Sequence, residues 1–209
     1  MVGLFSRFSR WFQTIFKRKH LKVGIYGPPN AGKTTLANRI SMDWLGEEVG
    51  SVSEVPHETR EALEKREIVI EADGARVTFD IVDTPGVTTK IDYHEFVEEY
   101  GLNDEEGRER AREATQGIID AIKWLDKVEG VLLVLDSTQD PFTQVNLTIL
   151  GNLEARDLPV LIVANKIDRQ ESSPASLRAA FQKHTVVPVS ALTGFNMENL
   201  YRTMVKYFR

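Results

Sequence analysis

The chain has 209 residues, 42% hydrophobic and 27% charged, enough for one well-cored domain and too short for two ordinary ones. It contains no cysteine, which excludes disulfides, zinc–thiolate sites and thiol catalysis and fits a reducing, cytoplasmic interior. The net charge of −5 hides an asymmetry: residues 1–20 carry five bases and no acid, while the rest carries −10, a poor surface for broad polyanion binding.

In chain order, residues 1–20 form a segment of their own ahead of a body spanning 21–209. On a helical wheel Leu4, Phe5, Phe8, Trp11, Phe12, Ile15 and Phe16 fall within an arc of about 140°. Ser6, Arg7, Ser9, Arg10, Gln13, Thr14 and Lys17 take the other side. Aromatics opposite bases, with no acid, is the pattern of an amphipathic helix lying on an anionic membrane surface. It is similar in arrangement to the N-terminal helices of Arf and Sar GTPases. Docking on the body or on a protein partner, and contact with RNA, are the other readings. No apolar run approaches the roughly 20 residues of a span, so attachment would be peripheral, on the cytoplasmic face. Val2, standing where glycine is required, excludes N-myristoylation.

The body opens with a short apolar strand at 23–26 that runs into a glycine-rich loop and a helix at 33–44. Residues 67–72 and 76–82 read as a β-hairpin, with Asp73-Gly74 as its tight turn. Continuous apolar runs at 131–136, 159–164 and 186–189 fit strands buried on both faces. Helices are expected at about 105–128, 143–156, 174–183 and 196–208. Strand and helix in alternation, with one hairpin, predict an α/β fold: a doubly wound, mostly parallel, six-stranded sheet with helices on both faces. The last helix ends at Arg209, so no further domain is expected after it.

Four segments in this frame carry chemistry. Gly27, Pro28, Pro29, Asn30, Ala31, Gly32, Lys33 and Thr34, with Thr35 behind them, form a phosphate loop in the strand–loop–helix context it requires. Its glycines let backbone N–H groups turn onto phosphate oxygens, Lys33 reaches the β- and γ-phosphates, and the Thr34 hydroxyl ligates Mg²⁺. Asp83-Thr84-Pro85-Gly86 sits where a strand ends, so that Asp83 holds the magnesium and Gly86 offers an amide to the γ-phosphate. Asn165-Lys166-Ile167-Asp168 closes the identity of the base. The Asp168 carboxylate accepts from guanine N1–H and the exocyclic amine, a donor pair adenine lacks. Lys166 lays its stem over the base and Asn165 ties the loop to the phosphate loop. Ser190-Ala191-Leu192 follows the final strand, where Ser190-Ala191 presents a backbone N–H to guanine O6. The order and spacing of the four predict a site for GTP and GDP. A threonine from residues 46–60 should complete the metal shell. Thr59, just before the hairpin, is favoured over Ser51 and Ser53, with a capping role as its plainer alternative.

On these motifs the chain resembles the Era-like (TrmE–Era–EngA-like) GTPases of the translation-factor-related class. It looks most like the small archaeal members without a KH domain. The resemblance implies a Ras-like P-loop fold and a GTP-hydrolysing switch with slow intrinsic chemistry. Lys33, Thr59, Gly86 and Asn30 are its catalytic candidates, Thr34, Thr59 and Asp83 its metal ligands, and an effector or activating protein its partner. A ribosome or RNA assembly role is the alternative; RNA is disfavoured by the acidic body and DNA is not expected. Where Ras-type enzymes place a glutamine to orient water, this chain has Val87. The resemblance implies that such enzymes use a potassium ion held partly by an asparagine at the position of Asn30, which also reads simply as a turn residue. The 44 residues between Gly86 and Val131 are rich in acids and bases, among them Asp92, His94, Glu95, Arg108, Arg110 and Arg112. They imply an enlarged second switch ending in a long helix, with no catalytic role assigned within it.

Overall fold

The structure, a computed structural model, describes residues 19–47, 63–87 and 103–208. Within them six strands form one sheet: β1 (Lys19–Tyr26), β2 (Leu63–Ala72), β3 (Ala75–Asp83), β4 (Gly130–Asp136), β5 (Val160–Asn165) and β6 (Thr185–Pro188). Five α-helices accompany them: α1 (Lys33–Leu45), α2 (Asp104–Trp124), α3 (Gln144–Glu154), α4 (Pro174–Ala180) and α5 (Met197–Phe208). The sheet order is β2-β3-β1-β4-β5-β6, with β2 antiparallel to β3 and every other pair parallel. This is the doubly wound arrangement expected from the alternation of apolar runs.

Side chains of the central strands alternate between two cores. Val23, Ile25, Leu132, Val134, Leu161 and Val163 face α1 and α5, meeting Leu36, Ile40, Leu200 and Met204. Val131, Leu133, Leu135, Val160 and Ile162 face the other way, onto Ala121, Ile149, Leu153 and Leu177 of α2, α3 and α4. Burial on both faces is why these strands read as unbroken apolar runs instead of alternating ones.

β1 is longer than expected and begins at Lys19, four residues before the strand expected at 23–26. Its leading residues pair with β3 from Lys19↔Val77 onward, whereas β4 joins only at Val23↔Gly130. On the β4 flank, ahead of that pairing, Glu129 N–H donates to the Lys22 carbonyl at 2.8 Å, and the polar residues His20 and Lys22 leave no strand-like apolar run in this stretch. His20 lies 2.8 Å from Asp80 on β3. In the same strand pair Glu67 breaks the β2 register with a left-handed φ of 59° and donates its N–H to Asp80 at 3.0 Å.

Two helix ends also differ. The helix expected to reach 128 stops at Trp124 and tightens into a 3₁₀ turn at Leu125–Lys127, which buries Leu125. The helix expected to reach 183 stops at Ala180. α2 begins in a capping box between Asn103 and Glu106, with Asp104, Glu105 and Glu106 on the positive end of its dipole. Thr59, His94 and the amphipathic segment before Lys19 lie outside the described residues.

Candidate nucleotide-binding site

The four motifs meet at the carboxyl ends of β1, β3, β5 and β6, where open α/β sheets leave a crevice. The phosphate loop is shaped by close packing. A Cβ on Gly27 would stand 2.2 Å from the Val134 carbonyl oxygen, and one on Gly32 would stand 2.3 Å from Nδ2 of Asn165. Neither position accepts a side chain, and Gly32 also holds a left-handed φ of 90°. Asn30 has the same handedness at 57° with its side chain exposed, which agrees with its reading as a turn residue. Pro28 and Pro29 are half-buried and Ala31 fully so.

α1 starts at Lys33 with Gly32 as its cap, no side chain capping it and no acid in its first turn. Its leading amides and positive dipole end are therefore left for an anion. Lys33 is buried, and its Nζ donates to the Pro28 carbonyl at 2.9 Å. Burial lowers its pKa to about 8, with the nearby Asp83 carboxylate acting against the shift. Thr35 follows, half-buried.

Asp83 ends β3 with no exposure, and Oδ2 accepts from the Thr34 hydroxyl at 2.7 Å. Its other oxygen, Oδ1, is buried without a hydrogen-bond partner. Burial raises this carboxyl to about 6, although the Thr34 hydroxyl and the Lys33 ammonium both favour its charged form. An unpartnered buried carboxylate oxygen beside a hydroxyl is what a divalent cation would occupy. Among the described residues no group of three or more His, Asp or Glu could hold a metal.

Thr84 anchors the next stretch, its hydroxyl donating to the Ile25 carbonyl at 2.7 Å. Gly86 then passes so close to the phosphate loop that a Cβ would lie 3.0 Å from Pro29 Cα and 3.2 Å from Lys33 Nζ. Val87 donates its N–H to the Gly27 carbonyl at 3.2 Å, and its side chain packs onto the core beneath α2 and α3. A side chain turned into that core has no means of orienting a water.

Asn165 joins three segments. Its Nδ2 donates to the Ala31 carbonyl at 2.9 Å, and its Oδ1 accepts the Ala191 N–H at 3.0 Å. Of the Ser190-Ala191 stretch expected to present an amide to guanine O6, the Ala191 N–H is the one that meets Asn165. The Leu192 amide is the next donor along that loop. Ser190 is buried, with its Oγ accepting from Thr193 N–H at 3.1 Å. Lys166 adopts a left-handed φ of 65° and its Nζ meets Asp136 Oδ2 at 2.7 Å. Asp168 is exposed at the mouth of the site.

Asp136 and Arg39 take part in this constellation although the motifs do not include them. Asp136 stands opposite Asn165 in the β4–β5 register. Burial alone would push its pKa up. Lys166 and the amide and hydroxyl of Thr138 outweigh that and hold it below the usual carboxylate value. A sequence signal existed, since Asp136 ends an apolar run parallel to the one that ends at Asn165.

A protein-family model described as 50S ribosome-binding GTPase matches residues 22–166. GTPase Der of Sulfurihydrogenibium sp. is 34% identical over 152 residues, 73% of this chain and 28% of that protein. GTPase Era of Geotalea daltonii is 29% identical over 187 residues, 87% of this chain and 53% of that protein. The chain thus spans about half or less of the length of these relatives. A solved structure of Era in complex with MgGDPNP and nucleotides 1506–1542 of 16S ribosomal RNA is similar with a TM-score of 0.68 and 25% identity, covering 90% of this chain and 57% of that one.

Proposed function

Because the chain belongs to the family of 50S ribosome-binding GTPases, we propose that it binds GTP and GDP and hydrolyses GTP to GDP and phosphate as a slow molecular switch. The observation that carries this reading is the Asn165 bridge, which ties the phosphate loop to the loop after β6 through one side chain. Thr34 and Asp83 would hold magnesium, with Thr59 as the third candidate ligand, and the bound ion would offset charge between the β- and γ-phosphates. Lys33 would exchange its bond to the Pro28 carbonyl for a phosphate oxygen, and the polyanion would keep its ammonium charged against the effect of burial. Gly86 would offer its amide to the γ-phosphate from its position against Pro29, so that the segment beyond it responds to hydrolysis.

Val87 faces the core, so charge neutralisation has to come from elsewhere. A potassium ion held partly by Asn30, whose side chain is exposed at the loop, would supply it. Single-turnover phosphate release should then be faster in potassium than in sodium at equal ionic strength. Screening depends on ionic strength and not on the identity of the monovalent ion. Asn30→Ala should remove the potassium advantage and leave GTP affinity largely intact. Equal wild-type rates in the two salts would assign the compensation to a protein group, and no phosphate release in either would sink the hydrolase reading itself.

The segment before Lys19 makes the protein a candidate for peripheral attachment to the cytoplasmic face of a membrane. Each fully buried aromatic or aliphatic side chain contributes roughly 1.5–3 kcal/mol, and each base near an anionic surface about 1 kcal/mol. Replacing Phe8, Trp11 and Phe12 with Glu is expected to release the protein from anionic vesicles in a sedimentation assay without altering GTP binding. A wild-type protein that never sediments with vesicles in either nucleotide state rules attachment out. The second reading, a nucleotide-gated ribosome or RNA assembly factor, is favoured by the family's description and by the ribosomal RNA bound to Era in the similar structure. Co-sedimentation with ribosomes in GTP and in GDP tests it directly, and an effector or activating protein would enter at the same step.

A further inference from the structure

The loop after β6 is gripped from both sides. On its inner side Asn165 accepts the Ala191 N–H. On its outer side Arg39, midway along α1, reaches across with a forked pair of bonds. Its Nε donates to the Ala191 carbonyl at 3.2 Å and its Nη2 to the Leu192 carbonyl at 2.9 Å. Gly194 closes the same turn at a left-handed φ of 80°, and a Cβ there would touch Arg39 Cζ at 3.4 Å.

The guanidinium is itself held. Asp43, one turn along α1, places Oδ1 3.8 Å from Nη1 of Arg39, and its Oδ2 accepts the Tyr201 hydroxyl at 2.6 Å. Tyr201 lies on α5 and meets the Trp44 ring edge-on, with centroids 5.5 Å apart. Arg39, Asp43 and Tyr201 thus form a chain of contacts from the loop through α1 to the C-terminal helix.

We infer that Arg39 is a positioning residue for base recognition: by holding the carbonyls of Ala191 and Leu192 outward, it turns the Leu192 amide toward O6 of the bound purine. The inference rests on the guanine-nucleotide reading above. The Leu192 amide is a donor on this loop that meets no acceptor among the described residues, whereas the Ala191 amide meets Asn165. A peptide plane has its carbonyl and the next amide on opposite sides, so fixing the Ala191 carbonyl on Arg39 fixes the direction of the Leu192 N–H. Only a planar fork reaches two successive carbonyls at once, which makes lysine a poor substitute. The same residue couples the two halves of the ligand, since α1 begins at the phosphate loop.

The test compares two nucleotides on the full chain: GDP, and the diphosphate of 2-aminopurine riboside, which lacks O6. Wild type by itself tests the guanine reading, which requires clearly tighter binding of GDP. The variants then test the clamp. Arg39→Ala should weaken GDP about tenfold, the ratio that one hydrogen bond supports, and change the O6-lacking analogue less than about twofold. Arg39→Lys retains the charge beside Asp43 and guards against a misfolded alanine variant; it should show the same base-dependent loss in smaller degree. Equal losses for both nucleotides, or no loss for GDP, would overturn the assignment and reduce Arg39 to a structural contact between α1 and the loop.

Discussion

Asp168→Asn should convert the protein from a guanine to a xanthine nucleotide binder. Guanine offers two donors, N1–H and the exocyclic amine, and a carboxylate accepts both. An amide in its place turns one acceptor into a donor: its oxygen can still take N1–H, but its NH2 then faces the exocyclic amine, donor against donor. Hydrogen bonds to a charged acceptor contribute about 1.5–3 kcal/mol each, so losing the pair should weaken GTP by roughly 10²–10⁴-fold. Xanthine carries a carbonyl where guanine has the amine, and an asparagine can donate to it, so the xanthine triphosphate should gain over wild type. Asp168 is exposed on a turn held by its backbone, through Ile167 N–H to the Val189 carbonyl at 3.3 Å and Arg169 N–H to the Lys166 carbonyl at 3.1 Å. The substitution should therefore leave the thermal midpoint of the nucleotide-free protein unchanged and act on the base alone. Competition between GTP, the xanthine triphosphate and ATP for a fluorescent GDP analogue reads all three affinities. Wild-type protein that bound ATP as tightly as GTP would remove the guanine assignment altogether.

What the sequence makes legible follows the range of the physics involved. β4 and β5 declare themselves because both faces are buried, so every residue in the run must be apolar. The phosphate loop declares itself because its glycines answer to local backbone and packing demands within a few residues. The leading half of β1 stays hidden, since Lys19, His20 and Lys22 precede the point, Val23, at which β4 joins the strand. Contacts set by register or by distant packing are hidden for a deeper reason. The Lys166–Asp136 pair requires knowing that Asp136 lies opposite Asn165, and the Arg39 fork spans more than 150 residues of chain. The Ala191 amide illustrates a third limit. A motif names the loop that meets the base but not which of its amides is already engaged, and Asn165 decides that here.

Asp83→Asn should make the nucleotide-free protein more stable while disabling it. The Asp83 carboxyl is buried with one oxygen unpartnered, and its pKa is raised to about 6 from an ordinary 3.8. The native state therefore binds this proton more tightly than the unfolded chain does. As pH rises from about 4 through 6, the native protein must ionise a buried group at a cost the unfolded chain does not bear. Stability attributable to Asp83 falls across that window and stays low above it. A shift of about two units corresponds to roughly 2–3 kcal/mol at neutral pH. Asparagine has the same shape, can still accept from the Thr34 hydroxyl and never ionises. In EDTA at pH 7.5 the variant should melt about 4–12 °C above wild type, taking 2–4 °C per kcal/mol for a domain of this size. The gain should shrink toward pH 5, where wild-type Asp83 is largely protonated. The same substitution removes the anionic oxygen that awaits a divalent cation, and magnesium-dependent GTP hydrolysis should fall on the order of 10²-fold, the scale of losing one charge-stabilising group at a reacting phosphate. Opposite signs for stability and activity would mark Asp83 as a residue kept for its ligand at the expense of the empty protein. A variant that melted at or below wild type in EDTA at pH 7.5 would show instead that the buried carboxylate is satisfied without a metal.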